Sequence, residues 1–349
     1  MGTNERLILR ELVRAYLEIA QSDEQEKKRE IWRAFHGFED GTPPIIASAA
    51  SYFIWMKEFL DPQMQCSDPV LRQHELELRR RLFLSTVGDD TVLEPWLNVT
   101  AHKKFKYKHK WGIPLHQSSD AKTNARRMDF PIKTYADVSL MHPASHEIDE
   151  EMTAEHVGKL ADAVGDIIPI DVNRGPWCQN GFTADLATDL GYLRGMENFM
   201  MDMYDHPDEL HDLLGIMRDG VLAAQEAAEE AGDISLSGYW PQGAMPYTRD
   251  IENLKPNSGP RKRKDLWYNC AAQEYIMVSP EMHYEFMLKY QLPIISQYKH
   301  VHYGCCEDLT NKIDMLRKIP SLIFLNQSTQ FVMEKCAEQI GKDYLISWR

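Results

Sequence analysis

The stretch His300-Val-His-Tyr-Gly-Cys-Cys-Glu307, read together with the residues C-terminal to it, decides the fold. His300 to Cys305 reads as a strand, Leu309 to Lys318 as a helix and Ser321 to Asn326 as a second strand. Gln330 to Ile340 then reads as a helix closed by Gly341, and Asp343 to Trp348 as a third strand. Strand, helix, strand connections of this length require a parallel sheet, and several in series point to a closed barrel or a doubly wound sheet. No GxGxxG or Walker loop occurs, which counts against the nucleotide-binding sheet.

The same grammar runs upstream. Ser279-Pro280-Glu281 combines an N-cap, a first-turn proline and a negative charge at the positive end of a helix dipole, so a helix is predicted to about Tyr298 with an interruption at Pro293. Pro207 to Ala231 carries Leu210, Leu213, Leu214, Met217 and Val221 at helical spacing and stops at Gly232, after which Ile234 to Trp240 reads as a strand. Ala154 to Val164 is predicted helical and leads through Gly165 into a strand over Ile167 to Asp171.

Before this regular region the pattern changes. Leu7 to Ala20 and Gln25 to Phe35 read as polar helices capping the N-terminal side, followed by a turn over Gly37 to Pro44. Ala101 to Trp111 places ring-bearing residues at every second position, which matches a strand and predicts an exposed hairpin. Its outward lysines suit an edge strand protected from pairing with another chain. The boundaries implied are an N-terminal helical segment over 1–90, a hairpin insertion over 91–135 and a barrel over 136–349. Trp348-Arg349 falls at the tip of the last predicted strand with no helix to cover it, which predicts that the native chain continues.

Bulk properties exclude several classes. With 349 residues and 43% hydrophobic content the chain can bury one large core. A formal net charge of −14 argues against a binder of duplex nucleic acid, because neutralising phosphates needs surplus Lys and Arg. The most apolar stretch, Pro43 to Met56, is shorter than the roughly 20 residues of a membrane span, and no apolar leader opens the chain, so a soluble cytoplasmic protein is predicted. Six scattered cysteines are unlike a disulfide framework, which leaves Cys305 and Cys306 reduced and able to bind metal.

Three stretches together resemble the uroporphyrinogen decarboxylase superfamily, over roughly residues 160 to 349. They are Gly175-Pro-Trp177 with Met196-Glu-Asn-Phe-Met200 and Asp202 to Leu210, then Val278 to Phe286, then Val301 to Glu307 in the place of the family's His-x-Cys-Gly strand end. The spelling Tyr-Gly-Cys-Cys-Glu and the ending Asp343 to Arg349 look like a branch related to the corrinoid methyltransferases rather than the haem-pathway decarboxylase. The resemblance implies a (β/α)8 TIM barrel with an N-terminal helical cap and a β-hairpin insertion. It also implies a zinc bound by His, Cys and a further Cys near the last strand, a position at which no cysteine is seen before Arg349.

In a barrel the reactive groups sit at the C-terminal ends of strands. The polar groups there are Asn173 and Arg174, Tyr239 and Trp240, Gln273 and Glu274, Cys305 to Glu307, Asn326 and Gln327, and Arg349. His302, Cys305, Cys306 and Glu307 offer imidazole, thiolate and carboxylate ligands for zinc, although neighbouring residues on a strand point to opposite faces and share a metal only where the strand has turned into loop. Glu274 is a further ligand or a general base, and Asp171 and Arg174 hold and protonate substrate or pair with each other. Tyr239, Trp240, Asn173 and Asn326 are candidates for substrate contact, with Trp267 and Tyr268 nearby. The basic run Arg261 to Lys264 either overhangs the mouth or is a solvated loop. Plain structural roles stay open for each: a small apolar core residue for Cys305, a hydrogen-bonded core residue for His302.

The function this predicts is a zinc-dependent methyltransferase moving a methyl group from a small methylated compound, such as a methoxylated aromatic, to the cobalamin of a corrinoid protein. The alternatives are a metal-independent decarboxylase using Arg174 and Asp171, or a non-catalytic ligand-binding barrel. A homodimer is compatible with either, and no nucleic acid or membrane partner is implied.

Overall fold

A computed structural model describes residues 3–47, 56–105, 109–119, 126–179, 181–328 and 332–348. Arg349, the centre of the Ala101 to Trp111 stretch and most of the apolar run 43–56 lie outside the described residues. Helices α1 (Thr3–Ala20) and α2 (Asp23–His36) form as the charge-dense N-terminal pattern predicts. The apolar stripe Leu9, Val13 and Tyr16 of α1 buries against α3 (Pro69–Ser85) and α4 (Glu150–Val164), meeting Leu71, Leu78, Leu160 and Val164. Asp68 starts α3 by accepting the N–H groups of Val70 and Leu71, with Pro69 in the first turn.

Strand β1 (Leu97–Thr100) pairs in parallel with β4 (Ile170–Asn173), Asn98 opposite Asp171. Leu97 and Val99 face the helices, while Asn98 and Thr100 look the other way. A hairpin forms between β2 (His116–Ser119) and β3 (Arg126–Asp129). The remaining strands, β5 (Trp267–Cys270), β6 (His300–Tyr303), β7 (Leu322–Gln327) and β8 (Leu345–Trp348), lie side by side in that order, all parallel. One face of this sheet carries Tyr268, Cys270, Val301, Tyr303 and Leu325 into the main core. The other carries Trp267, Asn269, His302 and Phe324, with the His302 and Phe324 rings 4.8 Å apart.

Helices α5 (Ala187–Leu193), α6 (Met196–Asp205) and α7 (Pro207–Glu230) follow β4. Leu210, Leu213, Leu214, Met217, Val221 and Ala224 of α7 form a continuous buried stripe, and each large side chain contributes roughly 1.5–3 kcal/mol by leaving water. Helix α8 spans 280–295 as an α-turn Pro280–His283, a π-turn Tyr284–Leu288 and an α-helix Lys289–Ile295. Two short helices, α9 (Ile313–Leu316) and α10 (Met333–Ile340), connect β6 to β7 and β7 to β8. Trp32, Phe35 and His36 of α2 reach the sheet at its N-terminal edge, Phe35 lying 5.8 Å from Phe324 and His36 5.0 Å from Trp267, ring to ring.

The chain is therefore mixed α/β with parallel strands, and several predicted boundaries move. Ile234 to Trp240 is not a strand. Leu236 N–H goes to the Ser258 hydroxyl and Ser237 N–H to the Ser235 hydroxyl, so side chains take the donors that a ladder would use. The strand predicted over Ile167 to Asp171 forms three residues later, because Ile167 and Ile168 still donate to Val164 at the end of α4. Of the Ala101 to Trp111 stretch, the described residues carry only an isolated bridge from Lys103 to Ile148, and the hairpin forms further along. β1 lies within 91–135 and pairs in parallel with β4, the two forming a sheet of their own. The break in 280–295 falls at the π-turn, a turn before Pro293. The helix over Leu309 to Lys318 shrinks to one turn.

Candidate functional site

After Tyr303 the chain must leave the sheet sharply, and Gly304 makes that possible. Its φ of +107° is open to glycine, and a Cβ there would sit 2.4 Å from the Asn326 carbonyl oxygen. Gly304 N–H donates to the Cys270 carbonyl at 2.9 Å, the last rung between β5 and β6. The next residues form a loop tied back by Glu307, whose Oε1 accepts Ala272 N–H at 3.0 Å and whose Oε2 accepts Cys305 N–H at 2.9 Å. Burial raises the Glu307 carboxyl against the lowering effect of those donors. Lys312, itself buried, donates to the Tyr275 carbonyl at 2.6 Å and is pushed down by burial to about 8.

The loop brings the Cys305 and Cys306 sulphurs to 3.4 Å, with Cys305 buried and Cys306 exposed. His302 stands on the strand face, its Nδ1 accepting Gln242 N–H at 3.0 Å. Among the described residues no set of three His, Cys, Asp or Glu side chains converges as metal ligands. A catalytic zinc needs about three protein ligands. Two thiols are on hand, both Glu307 oxygens serve backbone donors, and His302 Nδ1 is engaged, so the described residues do not fit a protein-held zinc.

Beside His302 lie two amides. Asn269 is opposite His302 on β5, and Asn326 follows two residues after Phe324 on β7. Both side-chain atoms of fully buried Asn326, and Oδ1 of Asn269, lack a hydrogen-bond partner among the described residues. A buried amide without partners is costly, by about 1–3 kcal/mol for each group, so a bound water, ion or ligand that satisfies it gains correspondingly. Asn269 is not among the strand-end candidates; a lone amide inside the wholly buried run Trp267–Cys270 is the signal that marks it.

Glu274 lies in the turn after β5, its Cγ beside Gly191 of α5. Burial raises its pKa, and Oε2 has no partner among the described residues. Asp185, whose pKa is raised well above the ordinary carboxylate range by burial and then by the charge of Glu274, accepts from the Thr188 N–H and hydroxyl, both at 3.0 Å, in the first turn of α5.

The candidates on β4 are spoken for. Asp171 accepts the Ser237 hydroxyl and, at 2.6 Å, Asn257 N–H, which holds the 234–238 segment beside the strand. Arg174 pairs with Glu150 at 2.5 Å and Asp233 at 2.6 Å, not with Asp171. Asn173 is clamped by Gln179, which in turn donates to the Ser237 carbonyl. The basic run is also engaged: Arg261 pairs with Glu252, and Lys262 and Arg263 with Glu229.

A cavity of about 620 Å³ opens between α3, the 91–98 segment and residues 240–245. Phe83, Leu84, Trp96, Trp240 and Met245 make it largely apolar, with Asn98 of β1 among its polar lining residues. Gln242, which donates to His302, belongs to the same 240–245 segment but does not itself line the cavity, and neither do His302, Asn269 and Asn326. Tyr239 is buried in the main core and does not line it either. Neither a protein-family model nor a curated protein matches the chain. No helix among the described residues is long and apolar enough to cross a membrane.

Proposed function

We propose that the chain closes as a (β/α)8 barrel of the uroporphyrinogen decarboxylase type and moves a methyl group from a small methylated, ring-bearing compound to a corrinoid protein. The observation that carries this reading is the two buried amides on adjacent sides of His302, Asn269 and Asn326, with atoms lacking a partner among the described residues, together with a largely apolar cavity walled in part by the 240–245 segment, whose Gln242 N–H reaches His302. The parallel order β5 to β8 and the separate parallel pair β1 and β4 support the barrel.

The apolar walls at Trp96, Trp240 and Met245 would take the ring, and the amides of Asn269 and Asn326 would orient the methylated heteroatom. A corrinoid on a partner protein would accept the methyl group and supply the electron pair for the new bond. As the bond from methyl carbon to heteroatom breaks, the leaving atom needs a proton. Glu274, whose pKa burial raises, is the proposed donor. A decarboxylase built on Arg174 and Asp171 has less support, because protein partners already occupy both.

The test is a methyl-transfer assay with methoxylated aromatic compounds and a reduced corrinoid protein, read by the absorbance of the methylated corrinoid. Glu274→Gln should lower kcat by about a hundredfold or more, as loss of a general acid does. Trp240→Ala should raise KM. Ligand binding without methyl transfer from any donor would favour a binding barrel, and release of CO2 from a carboxylated compound would favour the decarboxylase.

A further inference from the structure

The thiols of Cys305 and Cys306 stand 3.4 Å apart on a loop pinned at both ends. Gly304 N–H is bound to the Cys270 carbonyl, and the Glu307 carboxylate grips Cys305 N–H and Ala272 N–H together. Pre-organisation of this kind lowers the entropic cost of closing two bonds on one ligand. One sulphur is open to solvent, which gives a ligand its way in.

Two features separate what this pair can bind from what it cannot. A disulfide prefers Cα atoms about 4.4–6.8 Å apart, whereas adjacent residues hold theirs at about 3.8 Å, so the pair is poorly shaped to close on itself. A centre bonded to both sulphurs at about 2.3 Å would, with sulphurs 3.4 Å apart, subtend about 95°. That angle is narrower than the tetrahedral angle zinc prefers, and zinc would also need a third protein ligand that the described residues do not bring to it. A trivalent pyramidal centre bonds at close to right angles and needs no third protein donor if it carries its own substituent.

We propose that Cys305 and Cys306 form a two-thiol clamp for a monosubstituted trivalent arsenical, R–As(OH)2. Two As–O bonds break and two As–S bonds form. Each thiol proton leaves with a hydroxyl as water, and no atom changes oxidation state. The clamp stands whether or not the chain transfers methyl groups, since it depends only on the β6 loop.

Phenylarsine oxide added to the full, reduced chain tests it. The intact mass should show one phenylarsenic group per chain, and the native thiol count should fall by two. The adduct should resist excess glutathione and be removed by 2,3-dimercaptopropanol, because a monothiol must break a chelate that a dithiol can exchange. Cys306→Ser changes an exposed side chain and so leaves folding intact; it should lose the adduct to glutathione at least tenfold faster. Cys305→Ser, if it folds, should do the same. The proposal is overturned if Cys306→Ser keeps a glutathione-resistant adduct, if the unaltered chain loses its adduct as fast as that variant, or if no adduct forms.

Discussion

Glu307 reaches back across the tip of the sheet to Ala272, accepting its N–H at 3.0 Å, and with its other oxygen holds Cys305 N–H at 2.9 Å. One carboxylate thus joins the end of β5 to the loop after β6. Glu307→Ala leaves both buried donors unpaired, and a loss of about 2–5 kcal/mol is expected in urea unfolding. Burial raises this carboxyl, so above the ordinary glutamate value the native state keeps a proton that the unfolded chain has released. Its contribution to stability therefore falls as pH rises through that window, and the dependence should weaken in Glu307→Ala.

Gly304→Ala tests the turn that builds the same loop. The added Cβ meets the Asn326 carbonyl oxygen at 2.4 Å, and φ of +107° is unfavourable for alanine. Since backbone on β7 cannot yield as a side chain could, a loss of about 2–4 kcal/mol is expected, read as a lowered urea midpoint at unchanged slope.

Asn326→Ala should separate function from stability. The amide makes no hydrogen bond to any described residue, so its removal should not destabilise the fold and should raise stability by about 1–3 kcal/mol, by relieving unpaired buried groups at the cost of a small cavity. Ligand affinity, followed by quenching of tryptophan fluorescence, should fall about tenfold, in line with the loss of one hydrogen bond to a buried ligand. A variant that unfolds with ligand binding unchanged would make Asn326 structural.

Acid should loosen the N-terminal layer through His74. Its Nε2 lies 3.1 Å from Nε2 of His156, and burial first, then that neighbour's charge, push its pKa down from 6.5 to about 4. Between those values the unfolded state binds a proton that the native state refuses, so stability is lost as pH falls, by up to about 3 kcal/mol at the lower end. His74→Gln should flatten the dependence of the urea midpoint on pH between 6.5 and 4.

Much of the fold is legible locally. Helix α7 follows from the spacing of Leu210, Leu213, Leu214 and Met217 after Pro207, α8 begins where Ser279-Pro280 says, and β6, β7 and β8 appear in order within two residues of their predicted starts. These signals are legible because caps and apolar periodicity act over a few residues. The site is a different matter. The sequence offers Glu307 as a metal ligand, but it does not show that Ala272, 35 residues away, donates to one of its oxygens. Arg174 finds Asp233 and Glu150, Asp171 finds Ser237 and Asn257, and the hydroxyls of Ser235 and Ser258 undo the strand predicted at 234–240.

The sequence by itself determined helices α1, α2, α4, α7 and α8, the parallel succession β6, β7, β8 and the placing of Tyr303-Gly-Cys-Cys-Glu307 at a strand end. Only the tertiary structure decided which of those polar groups are already satisfied and which, like Asn326, have no hydrogen-bond partner among the described residues. The reason is physical: a helix is set by neighbours along the chain, whereas a buried polar group is set by whichever distant donor or acceptor folding carries to it.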